Sequence, residues 1–404
     1  MVQSALANKK VLILGGEENP ALPVLKSLGN EGVHLTVASH LSCAPGLFSK
    51  YTSIRLRSPD PWKGEQQYTA WTLDECNKNS YDLLLPLGEK ATLWIANNQD
   101  AFKPYTHVPF PVSEVYMIGR DKALTMKVAD RLGIPIPTTY YPDEEPIKSI
   151  AQRVDYPVVV KPRISYGARG IYYPKNPQQL EQLHDVAVHQ YGPCIIQEYI
   201  PQTGMQYKVE SILDRNHKVR AVGVYDKPRY FPPTGGSSTL NRTVHRLDLC
   251  QLSTIFLEGI SWYGMGDLDF IEDPRDNIPK LMEMNPRFTR SIRILTEAGL
   301  PFPKMLLELA IGEMPAEITE YKIGLHMRYL LSDCVWFLKS SERWRANPSF
   351  FKFFGKNLIY EMLSLEDPLP SIIYLWGQLY KAINKKSRAR LFRRPDQDSS
   401  APTI

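Results

Sequence analysis

Lys161 ends an apolar run, YPVVVK (Tyr156–Lys161), and leads into PRISYGARG (Pro162–Gly170), a loop that carries Gly167 and Gly170. An ammonium at a strand end, followed by loop N–H groups and Arg169, suits phosphate oxygens. Lys122 opens a second stretch, DKALTMKVADRL, which is followed by GIPIP. Gln197-Glu198-Tyr199-Ile200 closes another short strand. It presents a side-chain amide, a backbone carbonyl and a backbone N–H in succession, the groups that read an adenine edge. Taken singly, each stretch also fits a solvated lysine or an ordinary strand.

Two acidic stretches are sharper. Asp267-Leu268-Asp269-Phe270 places both carboxylates on one strand face, and LMEMNPR spaces Glu283, Asn285 and Arg287 at i, i+2 and i+4. In an extended chain those three share a face while Met282 and Met284 share the other. Asp269, Glu283 and Asn285 are hard oxygen donors suited to Mg²⁺ that bridges phosphates. Arg287 beside them can hold a carboxylate or a transferring phosphoryl oxygen. A solvated acidic edge does not explain LMEMNPR, because its alternate residues are apolar.

These stretches need elements to position them. Lys9–Leu14 reads as a buried parallel strand, and a Gly15–Gly16 turn follows it. Asn19 can cap a helix that starts at Pro20 and runs to about Asn30. His34–Ala38 and Tyr81–Leu85 are further strands, so the traffic is βαβ and the class is α/β with a parallel sheet. Asp121–Leu132 is a helix with Leu124, Val128 and Leu132 on one stripe, ended by Gly133. Tyr156–Lys161, Cys194–Tyr199 and Lys208–Leu213 are strands, and Leu295–Ile311 is a helix interrupted by Pro301 and Pro303.

Composition excludes several classes. The chain has 404 residues, 23% charged and 43% hydrophobic, with 33 Pro, 24 Gly and a net charge of +5. That is near the globular average, which argues against disorder, collagen and coiled coil. No apolar run approaches the roughly 18 residues of a membrane span. The N-terminal apolar block, Val11–Leu14, is too short for a signal peptide, so the cytoplasm is the expected location. Five scattered cysteines without a C-x-x-C pair suggest ordinary thiols in a reducing compartment. A dinucleotide fingerprint is absent, since Gly15-Gly16-Glu17-Glu18 sets acids where a pyrophosphate would lie.

The order of the chemical stretches resembles the ATP-grasp superfamily, which includes biotin carboxylase, carbamoyl phosphate synthetase and D-alanine–D-alanine ligase. The resemblance covers roughly Lys9 to Pro315. It implies an α/β chain with an N-terminal Rossmann-like domain (1–115) and an ATP-grasp domain (116–320), the latter made of a lid subdomain at about 140–200 and a C-terminal α+β domain. Lys122 and Lys161 match the positions that contact ATP phosphates, and Gly167, Arg169 and Gly170 match the lid loop. Gln197 matches the adenine-amide position, with Glu198 and Ile200 offering backbone contacts. Gln206 stands near the usual ribose-binding Glu, a departure from the pattern. Asp269 matches the first metal ligand, Glu283 and Asn285 the second pair, and Arg287 the substrate-orienting arginine. The implied catalytic residues are therefore Lys161, Arg169 and Arg287, and the implied cofactors are ATP and Mg²⁺ (or Mn²⁺).

The implied reaction is ATP-dependent ligation of a carboxylate to an amine through an acylphosphate. Bicarbonate activation and a catalytically silent ATP-binding scaffold remain open as alternatives. Arg229, Ser237, Arg290 and Arg293 flank the active-site strands and are candidates for holding substrate carboxylates; salt-bridged surface arginines are the competing reading.

Charge is unevenly spread. From Leu325 onward there are 13 Lys+Arg against 7 Asp+Glu, 13 − 7 = +6, so the rest carries 5 − 6 = −1. This stretch holds Trp336, Trp344, Trp376 and Phe350, Phe351, Phe353 and Phe354, and reads as a basic aromatic helical extension (321–394) before a disordered end (395–404). Helices packed on the body, or peripheral contact with anionic lipid, both fit. A homodimer is a further expectation; nucleic acid is not, because no binding-fold signature accompanies the charge.

Overall fold

The computed structural model describes residues 5–165, 167, 169–232 and 236–383, with side chains as far as 380. The chain divides into two compact units. The first takes Met1–Tyr116, Lys208–Asp267 and Asn285–Leu379, and the second Met117–Tyr207 and Leu268–Met284.

In the first unit, β1 (Lys10–Leu14), β2 (His34–Ser39), β3 (Ile54–Arg57) and β4 (Leu83–Pro86) form a sheet in the order β3-β2-β1-β4. Its pairs are parallel, with Lys10 opposite His34 and Val11 opposite Leu83. Helices α1 (Ala21–Gly29), α2 (Glu65–Asn79), α3 (Glu89–Asn97), α4 (Gln99–Phe102) and α5 (Ser113–Arg120) accompany it. Strand alternation explains why VLIL is uniformly apolar. Val11 and Ile13 join one buried cluster with Leu295, Phe302 and Leu306, while Leu12 and Leu14 join another with Tyr68, Leu84 and Phe102. Both faces are covered, as a parallel sheet requires. Asn19 does not cap α1; Pro20 stands at that position, and the Asn19 amide donates to Glu361 at 2.8 Å.

The second unit contains α6 (Lys122–Arg131), β5 (Thr139–Tyr140), α7 (Ile147–Arg153), β6 (Val158–Pro162), α8 (Pro177–Tyr191) and β7 (Cys194–Glu198). Its antiparallel sheet runs β5-β7-β6, with Val159 opposite Gln197 and Lys161 opposite Ile195. Ile150, Val158, Val160, Leu180 and Ile196 form its core.

The remaining strands are β8 (Gln206–Leu213), β9 (Val219–Phe231), β10 (Ser237–Val244), β11 (Gly264–Glu272), β12 (Pro279–Asn285), β13 (His326–Arg328) and β14 (Leu358–Tyr360). Their order is β12-β11-β8-β9-β10-β13-β14. Helices α9 (Leu247–Gly259), α10 (Ile292–Glu297), α11 (Phe302–Ala310), α12 (Leu330–Lys339) and α13 (Pro368–Ile383) complete the chain. The interrupted helix is thus two helices, with Pro303 in the first turn of α11, where a missing N–H breaks no intrahelical bond. The C-terminal stretch holds helices and also two three-residue strands, β13 and β14, too short to leave a periodic signal. No helix among the described residues is long and apolar enough to cross a membrane. The basic run from residue 384 and the end from Pro395 lie outside the described residues.

Candidate active site

In the second unit, Lys161 lies where β6 ends and is almost fully buried. Its Nζ donates to Oε1 of Gln197 at 2.7 Å, and the Gln197 amide nitrogen donates to Oγ1 of Thr139 at 2.9 Å. Antiparallel pairing of β6 with β7, and of β7 with β5, brings these three residues together.

Lys122 enters from another direction. Asp121 caps α6 by accepting from the Ala123 N–H at 2.8 Å, and the Lys122 N–H donates to the Arg163 carbonyl at 2.9 Å. Arg163 in turn grips Asp121, with 2.6 Å between Nη2 and Oδ2. The helix start is therefore tied to the loop that follows Lys161. Lys122 Nζ lies 3.4 Å from Ser165 Oγ and 3.5 Å from Glu283. Two buried ammonium groups thus share one nearby carboxylate. Burial pushes Lys161 down to about 8; Glu283 opposes the shift and Lys122 adds to it.

Elsewhere in this unit the Glu198 side chain pairs with Arg275 and accepts from the Thr138 N–H at 3.1 Å. Its own N–H is bound to the Thr138 carbonyl at 2.9 Å. Arg275 and Lys280 also hold Asp273, whose carboxyl lies well below the usual range because of the Arg275 hydrogen bond. The Gln202 amide donates to the Ile200 carbonyl at 3.0 Å and accepts from Gln206 at 3.1 Å. Gly167 and Gly170 have φ of +62° and +73°, backbone that favours glycine. A Cβ at Gly170 would also come within 2.8 Å of both Tyr191 and Pro162. Arg169 is exposed and Asp269 half-buried. Met284 is buried as the alternation of LMEMNPR anticipates; Leu281 is buried as well, on the parity of Glu283, so β12 is covered on both sides there.

In the first unit, the Asn285 amide donates to Asp267 Oδ2 at 2.9 Å, which orients it so that a cation would meet Oδ1. The same Asp267 oxygen pairs with Lys208. Two residues along β8, Glu210 is fully buried and accepts from Thr289 at 2.5 Å and Tyr225 at 3.1 Å. Burial pushes Glu210 up to about 8, and Asp267 adds to the shift. Arg287 donates through Nε to Glu89 at 2.6 Å. Burial, then Glu17, raises the neighbouring Glu18.

The candidate substrate arginines have protein partners. Arg229 is buried and forks onto Asp333 at 2.8 and 2.9 Å, where Arg328 also lies, and Nη1 holds the Pro348 carbonyl. Those contacts account for Arg229 without a ligand. Arg293 donates to the carbonyls of Glu361 and Leu363. Arg290 pairs with the Glu361 carboxylate, 2.6 Å away at Nη2, and Ser237 is exposed at the start of β10. Lys208 and Glu210 were not singled out from the sequence, and Asp267 was read only as a carboxylate sharing a strand face with Asp269. Their signal was the alternation of polar residues through QYKVE and DLD.

Hard oxygen donors for Mg²⁺ are few. Among the described residues no group of three or more His, Cys, Asp or Glu side chains converges. Asp269 and Glu283 in the second unit and Asn285 in the first carry hard oxygen donors, the ligand type Mg²⁺ takes alongside phosphates and water.

The family model for the ATP-grasp domain matches residues 119–291. This stretch is an ATP-grasp domain. It contains every phosphate, adenine and metal candidate named above. The carbamoyl phosphate synthase large chain of Bifidobacterium longum is 27% identical over 213 residues, 50% of this chain and 19% of that protein. The chain therefore spans about a fifth of the length of that relative. The D-alanine–D-alanine ligase of Natranaerobius thermophilus is 24% identical over 287 residues, 62% of this chain and 74% of that protein. Among solved structures, the biotin carboxylase domain of Hydrogenobacter thermophilus 2-oxoglutarate carboxylase, in complex with MgADP, ADP and bicarbonate, has a TM-score of 0.65 at 18% identity. It covers 79% of this chain and 73% of that one. The ATP-grasp domain thus sits within an α/β chain whose fold extends over most of such relatives.

Proposed function

We propose that the chain is an ATP-dependent carboxylate–amine ligase that uses Mg-ATP (or Mn-ATP) to form an amide bond through an acylphosphate. The observation that carries this reading is the pair Lys122 and Lys161, buried beside a single carboxylate, Glu283. A buried excess of positive charge is costly by itself and suits a polyphosphate. The ATP-grasp match and the nucleotide bound by a structural relative support the same ligand.

In this reading Lys122 and Lys161 hold the phosphates, and Gly167, Arg169 and Gly170 close over them. Gln197, with the backbone of Glu198 and Ile200, reads adenine, and Gln206 takes a ribose hydroxyl. Asp269, Glu283 and Asn285 would hold the metal, which when bound would neutralise charge on the phosphoryl group in transfer. A substrate carboxylate oxygen bonds to the γ-phosphorus as the bond to the bridging oxygen breaks, and ADP leaves. The amine nitrogen then attacks the acyl carbon, loses a proton, and phosphate departs. Arg287, held by Glu89, orients the carboxylate. Exclusion of water by the loop protects the acylphosphate from hydrolysis.

Bicarbonate activation is the second reading, favoured by the bicarbonate in the structural relative. Incubation with Mg-ATP and amino acids, or with bicarbonate, in the presence of hydroxylamine separates the two. The ligase reading expects amino-acid-dependent ADP release and hydroxamate formation. ADP release with bicarbonate alone would transfer the assignment, and nucleotide binding without ADP from any substrate would leave a silent scaffold.

A further inference from the structure

Helix α13 turns an apolar face to water. Its exposed positions include Leu369, Ile372, Leu375, Trp376 and Leu379, spaced at three and four residues and each 40–72% accessible. A surface helix ordinarily presents polar residues there. Here the polar group faces inward: Ser371 is buried, donating to the Met362 carbonyl and accepting from the Ser364 N–H, both at 3.0 Å. The stripe is therefore a surface built for another apolar phase.

A second feature of the same unit has matching chemistry. Between residues 338 and 356, Leu338, Trp344, Phe351 and Phe354 are exposed, Phe354 at 89%. Trp344 and Phe351 stack with centroids 5.9 Å apart, forming one aromatic surface. The segment carries Lys339, Arg343, Arg345, Lys352 and Lys356 against one acid, Glu342. Beyond the stripe, Lys381 to Arg394 holds seven Lys/Arg and no acid.

Charge decides between the occupants. A symmetric contact with a second copy sets one patch against itself, and so cation against cation. An anionic bilayer accepts both halves, with Trp and aliphatic side chains in the acyl boundary and lysine and arginine on the headgroups. We propose that the exposed stripe of α13, with the basic run that follows it in sequence, docks the protein peripherally on an anionic lipid surface.

Co-sedimentation of the full-length protein tests this. Vesicles of phosphatidylcholine with about 30% phosphatidylserine are expected to pellet the protein at low salt, at least about tenfold more tightly than phosphatidylcholine alone. High salt should reverse it. The double variant I372E/W376E, and a second variant with the seven Lys/Arg of 381–394 changed to Gln, should each lose about tenfold or more, with unchanged circular dichroism. Parental pelleting in both variants would overturn the proposal, as would no phosphatidylserine-dependent pelleting of the folded parent. A parent dimer that I372E/W376E converts to monomer, without vesicle binding, would assign the stripe to a second copy instead.

Discussion

Lys161 and Gln197 share one buried hydrogen bond, 2.7 Å from Nζ to Oε1, across the β6–β7 pair. The residue assigned to phosphate and the residue assigned to adenine are therefore set by a single strand register. A slip of one residue between the two strands would put them on opposite faces.

The depressed Lys161 pKa makes nucleotide binding depend on pH. Without ligand the ammonium titrates near 8, and an added polyphosphate favours its charged form. Binding should therefore take up a proton around pH 8 to 9, and affinity should fall as pH rises through 8. Calorimetry in buffers of different ionisation enthalpy reads this directly. A flat affinity from pH 7 to 9 with no proton uptake would contradict it.

Lys161→Met removes a buried charge along with a phosphate contact, so its two effects should oppose one another. Activity is expected to fall about 10²-fold or more. The melting temperature of the nucleotide-free protein should hold or rise, because a desolvated cation is gone. Loss of fold together with activity would show that Lys161 is mainly structural.

Arg229→Met should act on stability and not on substrate. It leaves Asp333 with Arg328 and the Thr239 hydroxyl but without its two-pronged partner, and losing buried charged hydrogen bonds of this kind costs about 2 kcal/mol. Denaturant unfolding measures the loss, while KM for both acceptor and donor should remain unchanged. A raised KM in a stably folded variant would restore Arg229 to the substrate site.

Glu210 predicts a pH effect on stability of the opposite kind to a paired carboxylate. Its folded pKa is raised to about 8 from 4.5, so the folded state holds more protons between those values. Its contribution is therefore fully present below pH 4.5 and lost as pH rises through 8. Glu210→Gln should flatten the stability profile between pH 5 and 8. An unchanged slope would mean that another group carries it.

Arg287→Lys keeps the charge but loses the planar fork that Glu89 holds. The expected loss in kcat is about tenfold to 10²-fold, with nucleotide affinity preserved. A fall in nucleotide affinity instead would place Arg287 on phosphate.

Local periodicity made much of the frame legible. VLIL, YPVVVK and CIIQEY announce buried strands because burial of both faces leaves no polar position in the run. LMEMNPR and the glycines of the 162–170 loop were enough to single out candidate chemical residues, whose roles are for the measurements above to test. Sequence also determined the charge division between a near-neutral body and a basic end.

Partnership was decided only in three dimensions. Asn19 lies beside Glu361, 342 residues away, instead of capping its own helix, and Arg229 meets Asp333 across 104 residues. Such pairings depend on tertiary packing, which leaves no period in the chain. The same holds for the inverted face of α13. Its sequence alone reads as a helix with an apolar stripe, and sequence-local rules assign such a stripe to the core. The packing turns Pro370, Ser371, Ile373 and Tyr374 inward, with Ser371 bonded to Met362 and Ser364, and leaves the other side to water.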